Sequence, residues 1–332
     1  MRVLAVEYIT GGGLAGHELP PSLAREGGIM VEALLRELAG IAGVGVFSAR
    51  DPRLPAPDLG ACFLVAMAGQ DVWELWERAV ANADALWPVA PESGGVLERL
   101  SNLALRHGKR LIGSAPEAIA IAASKRATAE LLAKHGIAAV ETRAAGSALP
   151  PSDTGWVVKP DDGAGAEGAR FIPDSHALEA YLAGHEHAAG LVVQPYLDGD
   201  AASMSVLFRD GEASVLACNR QDVARDAAGI FHYRGFEVGG CEDLRSEFEA
   251  IARRIAVALP GLFGYAGVDL VITGRGSIVL EINPRLTTSY VGLGPALGCN
   301  VAALVLGLAE GKEMPALRPR HSVRIAVDGA ND

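Results

Sequence analysis

Near the carboxyl end of the chain, Asp269 is followed twelve residues later by Glu281-Ile282-Asn283-Pro284-Arg285. Glu281 and Asn283 are two apart in an apolar run, so on a strand both point to one face. Hard oxygens of this kind suit Mg²⁺, with Mn²⁺ as an alternative occupant, and the metal completes its shell with phosphate oxygens and water. Whether Asp269 joins them depends on hairpin register. An even-length loop, such as one of four residues that sets Asp269 opposite Ile282, leaves it pointing the wrong way. A three-residue loop, Gly274-Arg275-Gly276, pairs Thr273 with Ser277 and sets Asp269 opposite Glu281. We therefore expect an odd loop or an equivalent bulge. The competing reading is an edge hairpin with solvated acids, but acids alternating along an apolar strand are costly if buried without a cation. Arg285, placed just after the strand by Pro284, offers a guanidinium to a transferring phosphoryl group or an acyl phosphate.

Two lysines lie upstream. Lys159 closes the strand-like Trp156-Val157-Val158 and leads into Pro160-Asp161-Asp162-Gly163-Ala164-Gly165-Ala166-Glu167-Gly168. An ammonium beside a loop of small residues, with Gly163, Gly165 and Gly168 freeing backbone N–H groups, suits phosphate binding. It is no Walker loop, because no Gly-Lys-Ser/Thr closes it before a helix. Lys125 opens a helix after Ser124 and is a second phosphate ligand candidate; a solvated helix-start lysine is the alternative. The strand Leu191–Tyr196 exits into Leu197-Asp198-Gly199-Asp200, where Gln194, Tyr196 and Leu197 could read an adenine edge and Asp200 could accept ribose hydroxyls. Arg220, His232, Tyr233 and Arg234 fall in a charged stretch, Asn219–Gly235, that reads as a lid loop holding an amino acid, or as a plain surface excursion. Glu7 and Tyr8, at the carboxyl end of a first strand, could face a substrate across a crevice, with Glu7 binding an ammonium group.

These groups need elements to hold them. Residues 1–113 alternate strand-like runs (Val3–Tyr8, Val44–Phe47, Cys62–Ala66, Ala85–Val89, Leu111–Gly113) with helical stretches (Leu23–Leu38, Trp73–Val80 and one from a Ser93 cap to His107). That alternation predicts a parallel sheet covered by helices. From Ser114 onward the pattern is α+β. Ser203–Phe208 and Ala213–Cys218 flank the turn Arg209-Asp210-Gly211-Glu212, Glu247–Leu259 is an amphipathic helix, and Val268–Thr273 and Ile278–Asn283 form the last hairpin.

Composition narrows the classes. The 332 residues are half hydrophobic and carry a formal charge of −11. An acidic chain without a Lys/Arg block gains little from a nucleic acid backbone. Cys62, Cys218, Cys241 and Cys299 form no CxxC pair, which predicts reduced thiols and a cytoplasmic setting. No run reaches the ~18 apolar residues of a membrane span, and the amino-terminal run lacks the core of a signal peptide. The eight histidines form no HxxxH, the pair His185 and His187 flanking Glu186 reads as a surface loop, and no Gly-x-Ser-x-Gly elbow occurs, which speaks against zinc and serine-hydrolase chemistry.

Taken in order, Lys125, Lys159 with its glycine loop, Gln194–Asp200, Asp269 and Glu281-Ile282-Asn283-Pro284-Arg285 resemble the ATP-grasp superfamily over roughly residues 114–300. The resemblance implies ATP held between two α+β subdomains, at about 114–195 and 196–332, after a preceding α/β domain over 1–113. It implies that Lys125 and Lys159 bind phosphates, Gly163–Gly168 closes over them, Gln194, Tyr196 and Leu197 line adenine, Asp200 holds ribose, and Asp269, Glu281 and Asn283 hold Mg²⁺. The opening Glu7-Tyr8-Ile9-Thr10-Gly11-Gly12-Gly13, with Leu19-Pro20 and Ser22–Gly27, is similar to the tyramine–glutamate ligases of methanofuran biosynthesis. That narrower resemblance implies an amide between the γ-carboxylate of glutamate and tyramine, tyrosine or another amine. The expected activity is an ATP-dependent carboxylate–amine ligase, with Arg285 and Lys159 as catalytic groups, small-molecule acid and amine partners, no nucleic acid or membrane partner, and homo-oligomerisation left open. A ligase for another amino acid or peptide, a phosphotransferase or carboxylating subunit, and a non-catalytic nucleotide-binding scaffold are the alternatives.

Overall fold

The computed structural model of the chain describes residues 1–66, 69–163, 168–185 and 188–327. The first sheet contains β1 (Arg2–Glu7), β2 (Gly45–Arg50), β3 (Cys62–Val65), β4 (Ala85–Val89) and β5 (Arg110–Leu111), all parallel, in the order β3-β2-β1-β4-β5. Helix α1 (Pro21–Ala39) covers one face; α2 (Val72–Ala81) and α3 (Val96–Arg106) cover the other. Strand order reverses between β1 and β4, so the crevice of this sheet opens at their carboxyl ends, beside Glu7 and Glu92. Ser93 does not cap α3 as expected. It sits in a single turn before Gly94 and Gly95, both left-handed, and the helix starts only after them.

Two short helices follow, α4 (Pro116–Ala123) and α5 (Lys125–Lys134), and then β6 (Arg143–Ala144), β7 (Trp156–Pro160), β8 (Arg170–Ile172), α6 (Ser175–Ala183) and β9 (Leu191–Pro195). The four strands make an antiparallel sheet in the order β6-β9-β7-β8. A six-stranded antiparallel sheet completes the fold from β10 (Asp200–Arg209), β11 (Glu212–Arg225), β12 (Phe231–Val238), β13 (Gly264–Thr273), β14 (Gly276–Asn283) and β15 (Val323–Ala326), in the order β14-β13-β10-β11-β12-β15. Helix α7 (Arg245–Ala258) packs with α4 and α5 on one face of it. Helices α8 (Tyr290–Leu297) and α9 (Val301–Ala309) lie between its other face and α1, in a core shared with the first sheet. Leu34, Leu35 and Leu38 of α1 are fully buried there, each contributing roughly 1.5–3 kcal/mol as an upper estimate. The halves are therefore joined by a common hydrophobic core. Among the described residues no single helix is long and apolar enough to cross a membrane.

One expectation is met in its second form and another is corrected. The β13–β14 loop is not three residues long: Thr273 pairs with Gly276 around Gly274 and Arg275. A regular ladder from that loop would set Asp269 against Leu280. Leu280 is instead the extra residue of a β-bulge, and Asp269 pairs with Glu281. The equivalent bulge thus does what an odd loop was expected to do. The stretch Asn219–Gly235 is also not a loop. It is the paired ends of β11 and β12, with only a short turn between them. Asp226 organises that turn by accepting the N–H groups of Ala228 and Ile230 at 2.9 Å. Gly229 there has φ +82°, and a Cβ would lie 2.5 Å from the Phe171 carbonyl oxygen. Only glycine fits, because the tip docks on β8 through Phe171 N–H to Gly229 O at 2.8 Å.

Candidate active site

The acidic hairpin forms the floor. Asp269 and Glu281 are opposite each other on β13 and β14, and Asn283 follows on the same face, while Val268, Leu270 and Ile282 point into the core on the other. Asn283 Nδ2 donates to Asp269 Oδ2 at 2.9 Å, and Gln221 Nε2 on β11 donates to Oδ1 at 2.8 Å. Burial, then the charge of Glu281 and a hydrogen bond shared with it, push the Asp269 carboxyl up to about 7, against the pull of those two amides. Two carboxyls this close cannot both ionise cheaply without a cation. Among the described residues no three His, Cys, Asp or Glu side chains gather as a metal site. Two carboxylates and an amide oxygen are nonetheless a hard-oxygen set that fits Mg²⁺, which takes few protein ligands and leaves the rest of its octahedron to phosphate and water.

The lysines stand over this floor. Lys125 Nζ lies 3.8 Å from Glu281 Oε2 and donates to the carbonyl of Gly163, with the Asp161 carbonyl at 3.4 Å. The start of α5 is what fixes it. Ser124 Oγ accepts the Ala127 N–H at 3.1 Å and donates to Asp161 Oδ2 at 2.7 Å, while Asp161 Oδ1 accepts the Arg126 N–H at 2.9 Å. The segment after Lys159 is thereby tied to the helix that carries Lys125. Lys159 is almost fully buried, and nothing among the described residues takes a hydrogen bond from its ammonium. Burial pushes its pKa down, with Glu281 and Asp269 pulling it back up and Lys125 adding to the decrease. An ammonium on a largely buried side chain, in the field of two acids, is a receptor for further negative charge. Gly168 has φ +70° and abuts Pro160; Gly165 lies outside the described residues.

Arg285 closes the other side. Its Nε lies 3.1 Å from the Glu92 carboxylate and one Nη donates to Leu286 O at 3.1 Å. Burial works against its charge, but Glu92, Glu281 and Asp269 keep the guanidinium protonated, raising its pKa. Its other Nη has no partner among the described residues. Glu92, reached from the first sheet, was not anticipated from the sequence. Its only signal there is an acid just past the carboxyl end of the parallel strand β4. Gln221 likewise looked like one polar residue among many.

The remaining candidates divide. Gln194 is buried and donates to Thr142 Oγ1 at 2.9 Å. Tyr196 packs edge-on against Phe171 at 5.0 Å, with Arg225 over both rings. Its backbone groups are engaged by Gly155 O and Thr154 Oγ1. Leu197 follows in the exit from β9, outside any strand. Asp200 and Arg220 pair with each other at 2.9 Å on the surface. Tyr233 donates to or accepts from Thr288 Oγ1 at 3.2 Å and is pushed up by burial, with Asp269 and Glu26 adding to the increase. His232 pairs with Asp226 at 2.9 Å, and Arg234 is exposed on β12. Glu7 is buried, and its oxygens accept Ile9 N–H, Thr10 N–H and the Thr10 hydroxyl at 3.1, 2.6 and 2.6 Å. It therefore braces the Ile9–Gly13 turn. Gly27 of α1 touches it so closely that a Cβ would sit 2.6 Å from its carboxylate. Burial pushes the Glu7 pKa up; Arg285 counts among the groups that oppose this. Tyr8 lies against Gly13 and 5.9 Å from the Trp76 ring.

Comparison with known proteins bears on the family of the chain. The ATP-grasp domain matches residues 122–289, and the pre ATP-grasp 3 domain matches residues 44–119. A tyramine–L-glutamate ligase of Methanocaldococcus jannaschii is 29% identical over 212 residues, covering 64% of this chain and 59% of that protein. The chain thus spans about three fifths of that relative's length. A probable alpha-L-glutamate ligase of Legionella pneumophila is 29% identical over 68% of this chain and 77% of its own. The structure of an ATP-grasp superfamily protein from Archaeoglobus fulgidus superposes with a TM-score of 0.69 at 24% identity, over 96% of this chain and 90% of that one. A parallel α/β unit followed by two antiparallel α+β units, with the ATP-grasp match taking in half of the sequence, assigns the chain to the ATP-grasp superfamily.

Proposed function

We propose that this protein is an ATP-dependent carboxylate–amine ligase that forms an amide through an acyl phosphate. The observation that carries the reading is the cluster itself: Asp269, Glu281 and Asn283 on one face of the β13–β14 hairpin, with Lys125, Lys159 and Arg285 around it. In this reading the chain divides at 113/114 into a preceding α/β unit and an ATP-binding unit of subdomains 114–195 and 196–332. Lys125, Lys159 and the 163–168 loop hold the ATP phosphates. Gln194, Tyr196 and Leu197 line adenine, and Asp200 takes the ribose hydroxyls in exchange for Arg220. Asp269, Glu281 and the Asn283 oxygen hold Mg²⁺, with Mn²⁺ as a substitute, and the ion when bound neutralises phosphate charge.

The chemistry then needs no side-chain nucleophile. A carboxylate oxygen of the acid attacks the γ-phosphorus, and the bond to the β-phosphate oxygen breaks to release ADP. The amine nitrogen attacks the acyl carbon and loses a proton, and the C–O bond to phosphate breaks to release inorganic phosphate. Lys159 and Arg285 stabilise charge on the transferring phosphoryl group, and the walls position the reactants. The similarity to tyramine–L-glutamate and alpha-L-glutamate ligases supports glutamate as the acid, with tyramine, tyrosine or a related amine as its partner. Tyr233, which lies in the field of Asp269, borders the reacting end. A screen of amino acids and amines for ADP and phosphate release tests this. Release that needs both an acid and an amine is expected. ADP formation without any amine, leaving a stable phosphorylated acceptor, would instead mark a phosphotransferase, and tight ATP binding without turnover a scaffold.

A further inference from the structure

The turn after β4, Pro91-Glu92-Ser93-Gly94-Gly95, belongs to the first sheet yet touches two parts of the ATP-grasp site. Glu92 is 6% exposed, and its carboxylate lies 3.1 Å from Arg285 Nε across 193 residues of sequence. Two residues on, the Gly94 N–H donates to Asp162 Oδ2 at 3.3 Å. Asp162 adjoins Asp161, which is tied to the start of α5 and hence to Lys125. Among the described residues one carboxylate oxygen of Glu92 is buried without a hydrogen-bond partner, the other accepts the Arg285 Nε–H at 3.1 Å, and one Nη group of Arg285 is left without a partner. A buried carboxylate with one cationic partner fixes that partner strongly, because separating them strands a charge in a dry site.

We infer that Glu92 is a positioning residue for Arg285: it locks the guanidinium so that the free Nη is presented to the transferring group, and it makes the first α/β unit part of the catalytic assembly. Glu92 touches no reacting atom in this scheme and acts only through Arg285. The inference rests on the ligase reading for its kinetic consequence, but not for its structural one.

Two measurements separate these. The first is hydroxamate formation from amino acid, ATP and hydroxylamine, which traps an acyl phosphate without the natural amine. Glu92→Gln should lower kcat about tenfold or more, with KM for ATP within about twofold, and Glu92→Asp should recover part of it. In an Arg285→Gln background, Glu92→Gln should add less than about twofold. The second is labelling of Arg285 by phenylglyoxal, read by peptide mass spectrometry, which needs no turnover. Glu92→Gln should speed that labelling several-fold while Arg50 and Arg245 keep their wild-type rates. Wild-type labelling of Arg285 in Glu92→Gln, or losses that multiply independently in the double variant, would overturn the inference. No hydroxamate from the wild type would sink the ligase reading alone, and labelling would still decide the role of Glu92.

Discussion

Asp269 and Glu281 stand opposite each other on β13 and β14 and share a hydrogen bond, so the pair keeps a proton up to about pH 7. Its cause is burial of two acids side by side, and its consequence is a dependence on pH and on metal. In the unfolded chain an aspartate ionises near ~3.9. Between that value and about 7 the folded protein binds the extra proton, so stability without metal falls as pH rises through this window. A divalent cation displaces the proton and should bind more tightly at high pH. Thermal unfolding should therefore show a larger Mg²⁺-induced rise in Tm at pH 8 than at pH 6. Asp269→Asn should flatten both the pH slope and the Mg²⁺ response. An Mg²⁺ shift independent of pH would contradict the shared-proton description.

The bulge at Leu280 yields a register test. Deleting Leu280 continues the regular ladder from the two-residue loop and leaves Asp269 opposite Glu281, so the Mg²⁺-induced Tm shift should survive. Inserting one alanine between Leu280 and Glu281 should abolish that shift, because a one-residue slip sends the side chains to the other face. The two variants carry equal changes in length with opposite outcomes, and a calorimetric titration with Mg²⁺ distinguishes them.

Lys159 is almost fully buried, its ammonium has no hydrogen-bonded partner among the described residues, and burial pushes its pKa down. Lys159→Met removes the desolvation cost and keeps the stem's volume. Its Tm should equal or exceed that of the wild type, while turnover drops by about 10²-fold or more, as expected for a lost charge on the transferring group. Scanning calorimetry and steady-state ADP release check the two halves. A loss of stability comparable with a core cavity would point instead to a packing role.

Glu281→Gln should largely abolish turnover, by about 10²-fold or more, with the fold retained, because a neutral amide is a poorer Mg²⁺ ligand. Circular dichroism and ADP release measure the two effects. Undiminished activity would remove Glu281 from the metal role.

The acidic cluster was legible because it is local. A strand alternates its faces, so Glu281 and Asn283 had to point together, and only the register of Asp269 needed the hairpin. The loop length itself was not legible, since a bulge and an odd loop satisfy the same facing rule. The β11–β12 ribbon was misread as a loop because its exposed polar residues lack the apolar alternation of a half-buried strand. Its order comes from docking on Phe171, a contact that no local pattern encodes. Glu92 escaped notice for a related reason. Its partner Arg285 is far away in sequence, and the packing of the two halves, through α1 against α8 and α9 and through α4 against α3, brings the pair together.

Oxygen transfer tests the central claim most directly. The acid and amine that support turnover are supplied with the carboxylate labelled with ¹⁸O, and inorganic phosphate is analysed by mass spectrometry. Passage through an acyl phosphate leaves one carboxylate oxygen on phosphate, so one ¹⁸O per amide formed is expected there. Unlabelled phosphate alongside amide product would contradict the proposed mechanism.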